Sequence, residues 1–188
     1  MQLILASASP RRRELLSLFH IPFIVRVADI DESMDPARPA AEEVARVSAL
    51  KAHAVAREEE DIIIAADTIV VCRDKILGKP HSEEEAREML SLLSGRDHQV
   101  MTGCTVLRGE TCVTFTEITD LHFKVLSRKE IDSYVASGEP MDKAGAYGIQ
   151  GGAALFCERM DGDYYNVVGL PVCHLGQVLK EIVPEVFM

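Results

Sequence analysis

Two features that are common in other classes of protein are missing from this sequence. No apolar run approaches the roughly 18 residues that a membrane-spanning helix needs. The short apolar segment at the start is followed, not preceded, by positive charges, which is not the pattern of a secretory signal. Positive charge is not in excess either, since 20 Lys and Arg residues stand against 30 Asp and Glu residues. Non-specific affinity for nucleic acid comes from the neutralisation of phosphates by positive charge, so we expect no nucleic-acid binding. Since the sequence also has neither a membrane span nor a secretory signal, we expect a cytoplasmic protein that does not bind membranes.

Paired cysteines are also absent. The chain has five cysteines, an odd number, and no two of them are spaced as C-x-x-C. This count and spacing argue against a zinc site and against a disulfide framework. We expect reduced thiols that pack as small apolar side chains.

What the sequence does contain is an alternation of strand-like and helix-like segments, without repeats, low-complexity stretches or a linker. Adjacent strands around Gly109-Glu110 predict a hairpin, and Asp161-Gly162 predicts another. The fold class is therefore α/β with a mixed sheet, in one domain that spans residues 1–188. The principal predicted strands are 61–71, 98–108 and 111–126, and the principal predicted helices begin at Ser9-Pro10 and cover 40–57, 82–95, 127–138 and 171–183.

Three consecutive arginines at the start of the first helix stand out in an acidic chain. A strand, a turn of small residues and a helix N-terminus direct several backbone N–H groups to one point, where Ser7 and Ser9 add hydroxyls. Arg11 and Arg12 would add permanently charged donors, whereas Arg13 points elsewhere on the helix and is expected at the surface. We interpret this segment as a phosphate cradle. The alternative is a solvated basic first turn, which the helix dipole disfavours.

Asp67 is unusual because it lies inside the apolar strand "IIIAADTIVV". A buried carboxylate there must be paired, bind a metal or lie at an open end of the strand. A purely structural aspartate is the alternative. In a regular strand Asp67 and Thr68 point to opposite faces, so one ligand touches both only if the strand bends or ends. Together with Glu32, which an exposed acidic loop explains almost as well, Asp67 could hold one Mg²⁺.

Three lysines supply weaker signals. Lys51 falls on the apolar face of its predicted helix, so it either extends to the edge of that face or reaches into a cleft. Lys79 lies in the loop "LGKPHS", which is not a Walker motif. Lys143 precedes a glycine-rich loop whose backbone could approach a ligand closely.

Five blocks together resemble the Maf family of nucleoside triphosphate pyrophosphatases: "LASASPRRRELL", "AADTIVV", "LGKP", "LSGRDHQVMTG" and "DKAGAYGIQG". The resemblance covers residue 3 to about residue 175. It implies a long bent mixed sheet flanked by helices, in two lobes around a central cleft, similar to the inosine triphosphate pyrophosphatases. It also implies hydrolysis between the α- and β-phosphates with a divalent metal, Mg²⁺ or Mn²⁺.

Site residues follow from the same resemblance. Asp67 would accept a proton, and the phosphates would be bound by Ser9, Arg11, Arg12, Lys51 and Lys79. The sequences "ADT" and "GIQG" resemble the subgroup that acts on dTTP and UTP, in which Arg12, Thr68 and Gln150 would set the choice of base. A glutamine amide suits a pyrimidine edge because it offers both a donor and an acceptor.

Other functions stay open at this point. One is a non-catalytic, nucleotide-binding regulator of cell division and septum formation. Another is the same chemistry on 7-methyl-GTP, and a modified pyrimidine nucleotide could be the natural substrate. The resemblance implies a homodimer, which no residue of the sequence proves.

Overall fold

The computed structural model describes residues 1–184. Within them, the strands are β1 (Leu3–Leu5), β2 (Phe23–Val25), β3 (Ile62–Cys72), β4 (Lys75–Leu77), β5 (Asp97–Arg108), β6 (Thr111–Phe123) and β7 (Cys157–Asp161). The α-helices are α1 (Pro10–Ser17), α2 (Ala40–Val55), α3 (Glu83–Leu93), α4 (Arg128–Ala136), α5 (Tyr164–Val168) and α6 (Val172–Ile182). Short 3-10 helices cover Glu139–Asp142, Ala144–Ala146 and Gly152–Leu155.

The strands form one mixed sheet in the order β2-β1-β3-β5-β6-β7, with β4 paired to β3. Strand β1 is parallel to β2 and to β3, with Leu5 opposite Val25 and Ile64. Strands β4 and β7 pair antiparallel with β3 and β6. The predicted α/β class and mixed sheet are confirmed, whereas the bend of the sheet and the central cleft stay predictions.

Contacts divide the chain into two compact units. The first contains Met1–Asp67, Thr102–Glu117 and the segment from Gly169. Its core includes Ile4, Ala52, Ile63 and Leu107, all buried. Gly103 lies so close to helix α2 that a side chain there would overlap the backbone carbonyl of Val44.

The second unit contains Thr68–Met101 and Ile118–Val168. Its core contains a cluster of aromatic rings. Phe123 packs edge-on against His98, Tyr147 and Phe156, with ring centroids 4.7, 4.8 and 6.1 Å apart. Such edge-to-face pairs add to the stability that burial of the rings provides.

The predicted helix starts are present. Ser9 caps α1 by accepting a hydrogen bond from the backbone of Arg12, with Pro10 in the first helical position. Ser82 caps α3 by accepting from the backbone N–H of Glu85. Ser127 and Glu130 form the complete reciprocal capping box of α4.

The predicted hairpin at Asp161-Gly162 is wrong. Strand β7 does end at Asp161, but the chain then enters helix α5 instead of a second strand. The reason is Asp163, whose carboxylate accepts a hydrogen bond from the backbone N–H of Tyr165 at 2.8 Å and so starts the helix. None of the helices within residues 1–184 combines the length and the apolar composition of a membrane span.

Candidate active site

The start of helix α1 and the turn before it form a compact hydrogen-bonded group in the first unit. The hydroxyl of Ser7 accepts hydrogen bonds from the backbone N–H of Ser9 at 3.2 Å and from Nη1 of Arg12 at 3.3 Å. Arg12 Nε donates to the carbonyl oxygen of Gly169 at 2.8 Å. This turn follows the carboxyl end of the parallel strand β1, which is where ligands bind in open α/β sheets.

The other two arginines differ in exposure. Arg11 is half-buried beside Arg12, whereas Arg13 is exposed. The surface position predicted for Arg13 is confirmed. The helix therefore partly buries two of its three arginines and exposes the third, as expected from residues that succeed one another by about 100°.

Lys51 joins the two carboxylates that the sequence singled out. Its Nζ lies 2.7 Å from Asp67 Oδ1 and 2.8 Å from Glu32 Oε2. The side chains of Lys51 and Asp67 are only 10% and 12% exposed, while that of Glu32 is 53% exposed. Lys51 thus reaches inward from α2, and its charge offsets the cost of burying Asp67.

The electrostatic environment links this group to Arg12. Burial lowers the pKa of the Arg12 guanidinium, and the negative charge of Asp67 is the largest influence in the opposite direction. Burial also raises the pKa of the neighbouring Cys104 to about 12, so this thiol stays protonated and packs as an apolar group. The first unit therefore collects two cationic and two anionic side chains that could bind a phosphate chain and a cation.

A third carboxylate, that of Glu43, helps to hold the loop that carries Glu32. Glu43 is fully buried on α2, and its oxygens accept hydrogen bonds from Arg46 at 2.7 and 3.0 Å and from the backbone N–H of Asp35 at 2.9 Å. These hydrogen bonds lower the pKa of Glu43 to about 2, and the bond from Arg46 has the largest effect. Arg46 also donates to the carbonyl of Ser33 at 2.8 Å, so the backbone that follows Glu32 is held at Ser33 and at Asp35.

The second unit carries the remaining predicted residues. Thr68 is half-buried on β3, Lys79 is exposed after β4, and Gln150 is exposed in the glycine-rich loop. The ammonium of Lys143 donates to the carbonyl of Glu139 at 2.6 Å and to Asp142 Oδ1 at 2.7 Å. Lys143 therefore lies against its own segment of chain.

A family model described as "Maf-like protein" matches residues 2–182. The chain belongs to the Maf family. The resemblance expected from the five sequence blocks is confirmed over nearly the whole chain.

Individual relatives agree with this assignment. A relative from Bacillus cereus (strain B4264), named dTTP/UTP pyrophosphatase, is 48% identical over 181 residues, which cover 96% of this chain and 95% of the relative. A protein of the same name from Bacillus cytotoxicus is 49% identical over 179 residues, covering 95% and 94%. The solved structure of a HAM1 protein from Coxiella burnetii superimposes with a TM-score of 0.53 at 17% identity, covering 96% of this chain and 99% of that one. This last likeness concerns the fold alone.

Sequence reasoning missed two contributors to the site of this Maf protein. The carbonyl of Gly169 carries no sequence signal, because every residue has one. Glu43 could have been found by its position, since it shares the buried face of α2 with Val44, Val47 and Lys51. A charged residue at helical spacing on an apolar face indicates a buried partner.

Proposed function

We propose that this Maf protein is a nucleoside triphosphate pyrophosphatase that hydrolyses dTTP and UTP to the monophosphate and pyrophosphate. The observation that carries the proposal is the placement of Lys51 Nζ within 2.8 Å of both Asp67 and Glu32, in the unit that also holds Arg12. Relatives that are 48% identical and named dTTP/UTP pyrophosphatase support the choice of substrate.

The triphosphate would bind where donors converge. The start of α1 offers backbone N–H groups, and Arg11 and Arg12 add guanidinium donors that suit phosphate oxygens. The hydroxyls of Ser7 and Ser9 belong to the same turn. Further proposed phosphate ligands are Lys51, Lys79 and Lys143.

Glu32 and Asp67 fit a divalent metal, Mg²⁺ or Mn²⁺. One oxygen of each carboxylate already lies within 2.8 Å of a single cationic atom, Lys51 Nζ. Among residues 1–184 no three His, Cys, Asp or Glu side chains converge as a complete metal site. Two carboxylates completed by water and substrate phosphates are the usual way in which proteins hold Mg²⁺. When bound, the metal would neutralise phosphate charge and make a water molecule more acidic.

In the proposed reaction, water attacks the α-phosphorus in line with the departing pyrophosphate. Asp67 is the proposed catalytic residue, either as the acceptor of the water's proton or as a ligand of the metal. The flexible four-carbon stem of Lys51 would let its ammonium leave Glu32 and bind a phosphate oxygen. The arginines hold the charge that develops on the leaving group.

Base selection is assigned to Arg12, Thr68 and Gln150, as the resemblance implies. Gln150 is exposed, so its amide can meet a nucleobase. The donor and acceptor of that amide match the edge of uracil or thymine.

Replacement of the carboxylate tests the chemistry. Asp67→Asn should lower kcat for dTTP and UTP by about 100- to 10,000-fold, the usual contribution of a positioned proton acceptor, while nucleotide binding persists. Pyrophosphate release with Mg²⁺ or Mn²⁺ is the measurement. Asp61→Asn is the matched control, because Asp61 is also a buried aspartate next to β3 but bonds the backbone of Gln2.

Two outcomes of this assay count against the proposal. Wild-type turnover in Asp67→Asn would remove Asp67 from the reaction. Nucleotide binding without pyrophosphate release by the unmodified protein would instead favour the non-catalytic regulator. Parallel assays with CTP, GTP and 7-methyl-GTP separate the pyrimidine substrates from the other proposed base.

The proposal also covers domain organisation, assembly and location. The chain would form one Maf-like domain over residues 1–188, assemble as a homodimer and act in the cytoplasm. Their support is the family resemblance and, for the location, the composition. Sedimentation equilibrium of the purified chain tests the dimer.

A further inference from the structure

The loop that carries Gln150 is tied down at both ends by one carboxylate. The backbone N–H of Gly148 donates to the Tyr134 hydroxyl at 3.0 Å, and that hydroxyl donates to Glu139 Oε1 at 2.9 Å. At the other end, the backbone N–H of Gly152 donates to Glu139 Oε2 at 3.1 Å. Gln150 is the middle residue between these two anchor points.

The fit between the loop and the carboxylate is close. A side chain at Gly151 would overlap the carboxylate oxygens of Glu139, so only glycine lets the loop approach. On the other side, a Cβ at Gly148 would lie 2.6 Å from Cε of Lys143, whose stem covers the loop. We call Tyr134, Glu139 and the two bonded N–H groups the Glu139 clamp.

The clamp is itself anchored in the core. The ring of Tyr134 is buried and packs edge-on against Phe156 at a centroid distance of 5.2 Å. Burial raises the pKa of Tyr134, so its hydroxyl keeps the proton that it donates to Glu139. Ile149 is buried while its neighbour Gln150 is exposed. The backbone on either side of Gln150 is therefore held, and the side chain projects from a fixed position.

We propose that Glu139 is a positioning residue for base selection: its carboxylate, directly and through Tyr134, holds the 148–152 loop so that Gln150 presents its amide from one fixed place. This inference rests on the proposed function, in which Gln150 reads the base. A glutamine amide hydrogen-bonds the edge of a base only when its backbone keeps it at hydrogen-bond distance and in line with that edge. Base selection by Gln150 therefore requires a loop backbone that stays in place, and the Glu139 clamp holds that backbone at Gly148 and Gly152.

The test compares UTP with CTP. Glu139→Gln keeps the shape but turns one acceptor into a donor that faces an N–H or O–H group. Tyr134→Phe removes only the hydroxyl and keeps the ring. We expect each to lower the ratio of kcat/KM for UTP to that for CTP by about fivefold or more, the usual effect of one hydrogen bond. The double variant Glu139→Gln/Gln150→Ala should have the same ratio as Gln150→Ala.

Glu130→Gln is the matched control. Glu130 also lies on the second unit and also accepts backbone and side-chain hydrogen bonds, from Ser127 and Lys124, but none comes from the loop. It should lower stability and leave the UTP-to-CTP ratio within twofold of the unmodified value. A merely structural role of Glu139 would produce the same result as this control.

The outcomes separate the inference from the proposed function. If the unmodified protein hydrolyses neither nucleotide, the proposed function fails. If Gln150→Ala changes the ratio while Glu139→Gln and Tyr134→Phe do not, the clamp inference is wrong and the proposed function stands. An unchanged ratio in Gln150→Ala also overturns the inference, since there would be nothing to position. Should Glu139→Gln not fold, Tyr134→Phe decides alone.

Discussion

Stability below neutral pH should depend on His98, a buried histidine in the aromatic core of the second unit. His98 is 3% exposed and its Nε2 lies 2.9 Å from the hydroxyl of Tyr147. Burial, the largest influence, lowers the pKa of His98 from 6.5 to about 4. The folded protein therefore keeps this imidazole neutral at pH values where the unfolded chain protonates it.

The sign and size follow from this difference. Between pH 6.5 and pH 4 the unfolded state binds one more proton than the folded state, so the free energy of unfolding falls as the pH falls. The difference between pKa values of 6.5 and about 4 corresponds to about 3 kcal/mol in the free energy of unfolding. About 2 kcal/mol of this stability is lost between pH 7 and pH 5. Glu43 and Glu130, whose pKa values are lowered to about 2, act mainly below pH 4.5 and therefore outside this window.

Urea unfolding at pH 7 and pH 5 measures the effect. His98→Gln is neutral at both pH values and can still bond the Tyr147 hydroxyl, so it should lose most of the pH dependence. His81→Gln is the control, because the His81 side chain is 87% exposed and its removal should leave the dependence unchanged. The reasoning is refuted if His98→Gln loses as much stability between pH 7 and pH 5 as the unmodified protein.

Two further predictions concern the first unit. Arg11→Ala should lower kcat/KM roughly 10- to 150-fold through loss of a charge-assisted contact to phosphate. Arg13→Ala is the control and should leave kcat/KM unchanged, because Arg13 is exposed. A loss under twofold in Arg11→Ala would remove Arg11 from the phosphate site. Gly103→Ala should lower the free energy of unfolding by at least about 2 kcal/mol in urea unfolding. The new methyl group would overlap the backbone carbonyl of Val44, which cannot move without displacing α2. Gly78→Ala is the control, because no atom lies within 4 Å of the added Cβ.

Most long elements were predictable because their signals are local. Helix α4 is an example, since the capping box of Ser127 and Glu130 is written in four consecutive residues. The strand containing Asp67 was predictable from its run of β-branched residues. Strands β2 and β4 have three residues each and carry too short a pattern to be recognised. The hairpin at Asp161-Gly162 failed because a turn dipeptide does not say whether a strand or a helix follows, and Asp163 decides that here.

In the candidate site too, the local sequence indicated individual residues but not their contacts. The sequence marked Asp67 and Lys51 as anomalous, because each is a charge within an apolar pattern, but left their partners open. That Lys51 lies between Asp67 and Glu32 follows only from the packing of α2 beside β3 and from the loop that Glu43 holds. The Glu139 clamp likewise depends on the buried ring of Tyr134, which brings its hydroxyl to residues 14 positions away.

The α/β class, the starts of the principal helices, the family and the anomalous charges of Asp67 and Lys51 could all be read from the sequence. Each of these depends on residues that are near one another in the chain or on types of residue in a fixed order. The tertiary structure alone decided which charges meet, which carbonyl holds Arg12 and what fixes the loop around Gln150. Those contacts join segments that are distant in the chain, and only the folded packing sets the distances between them.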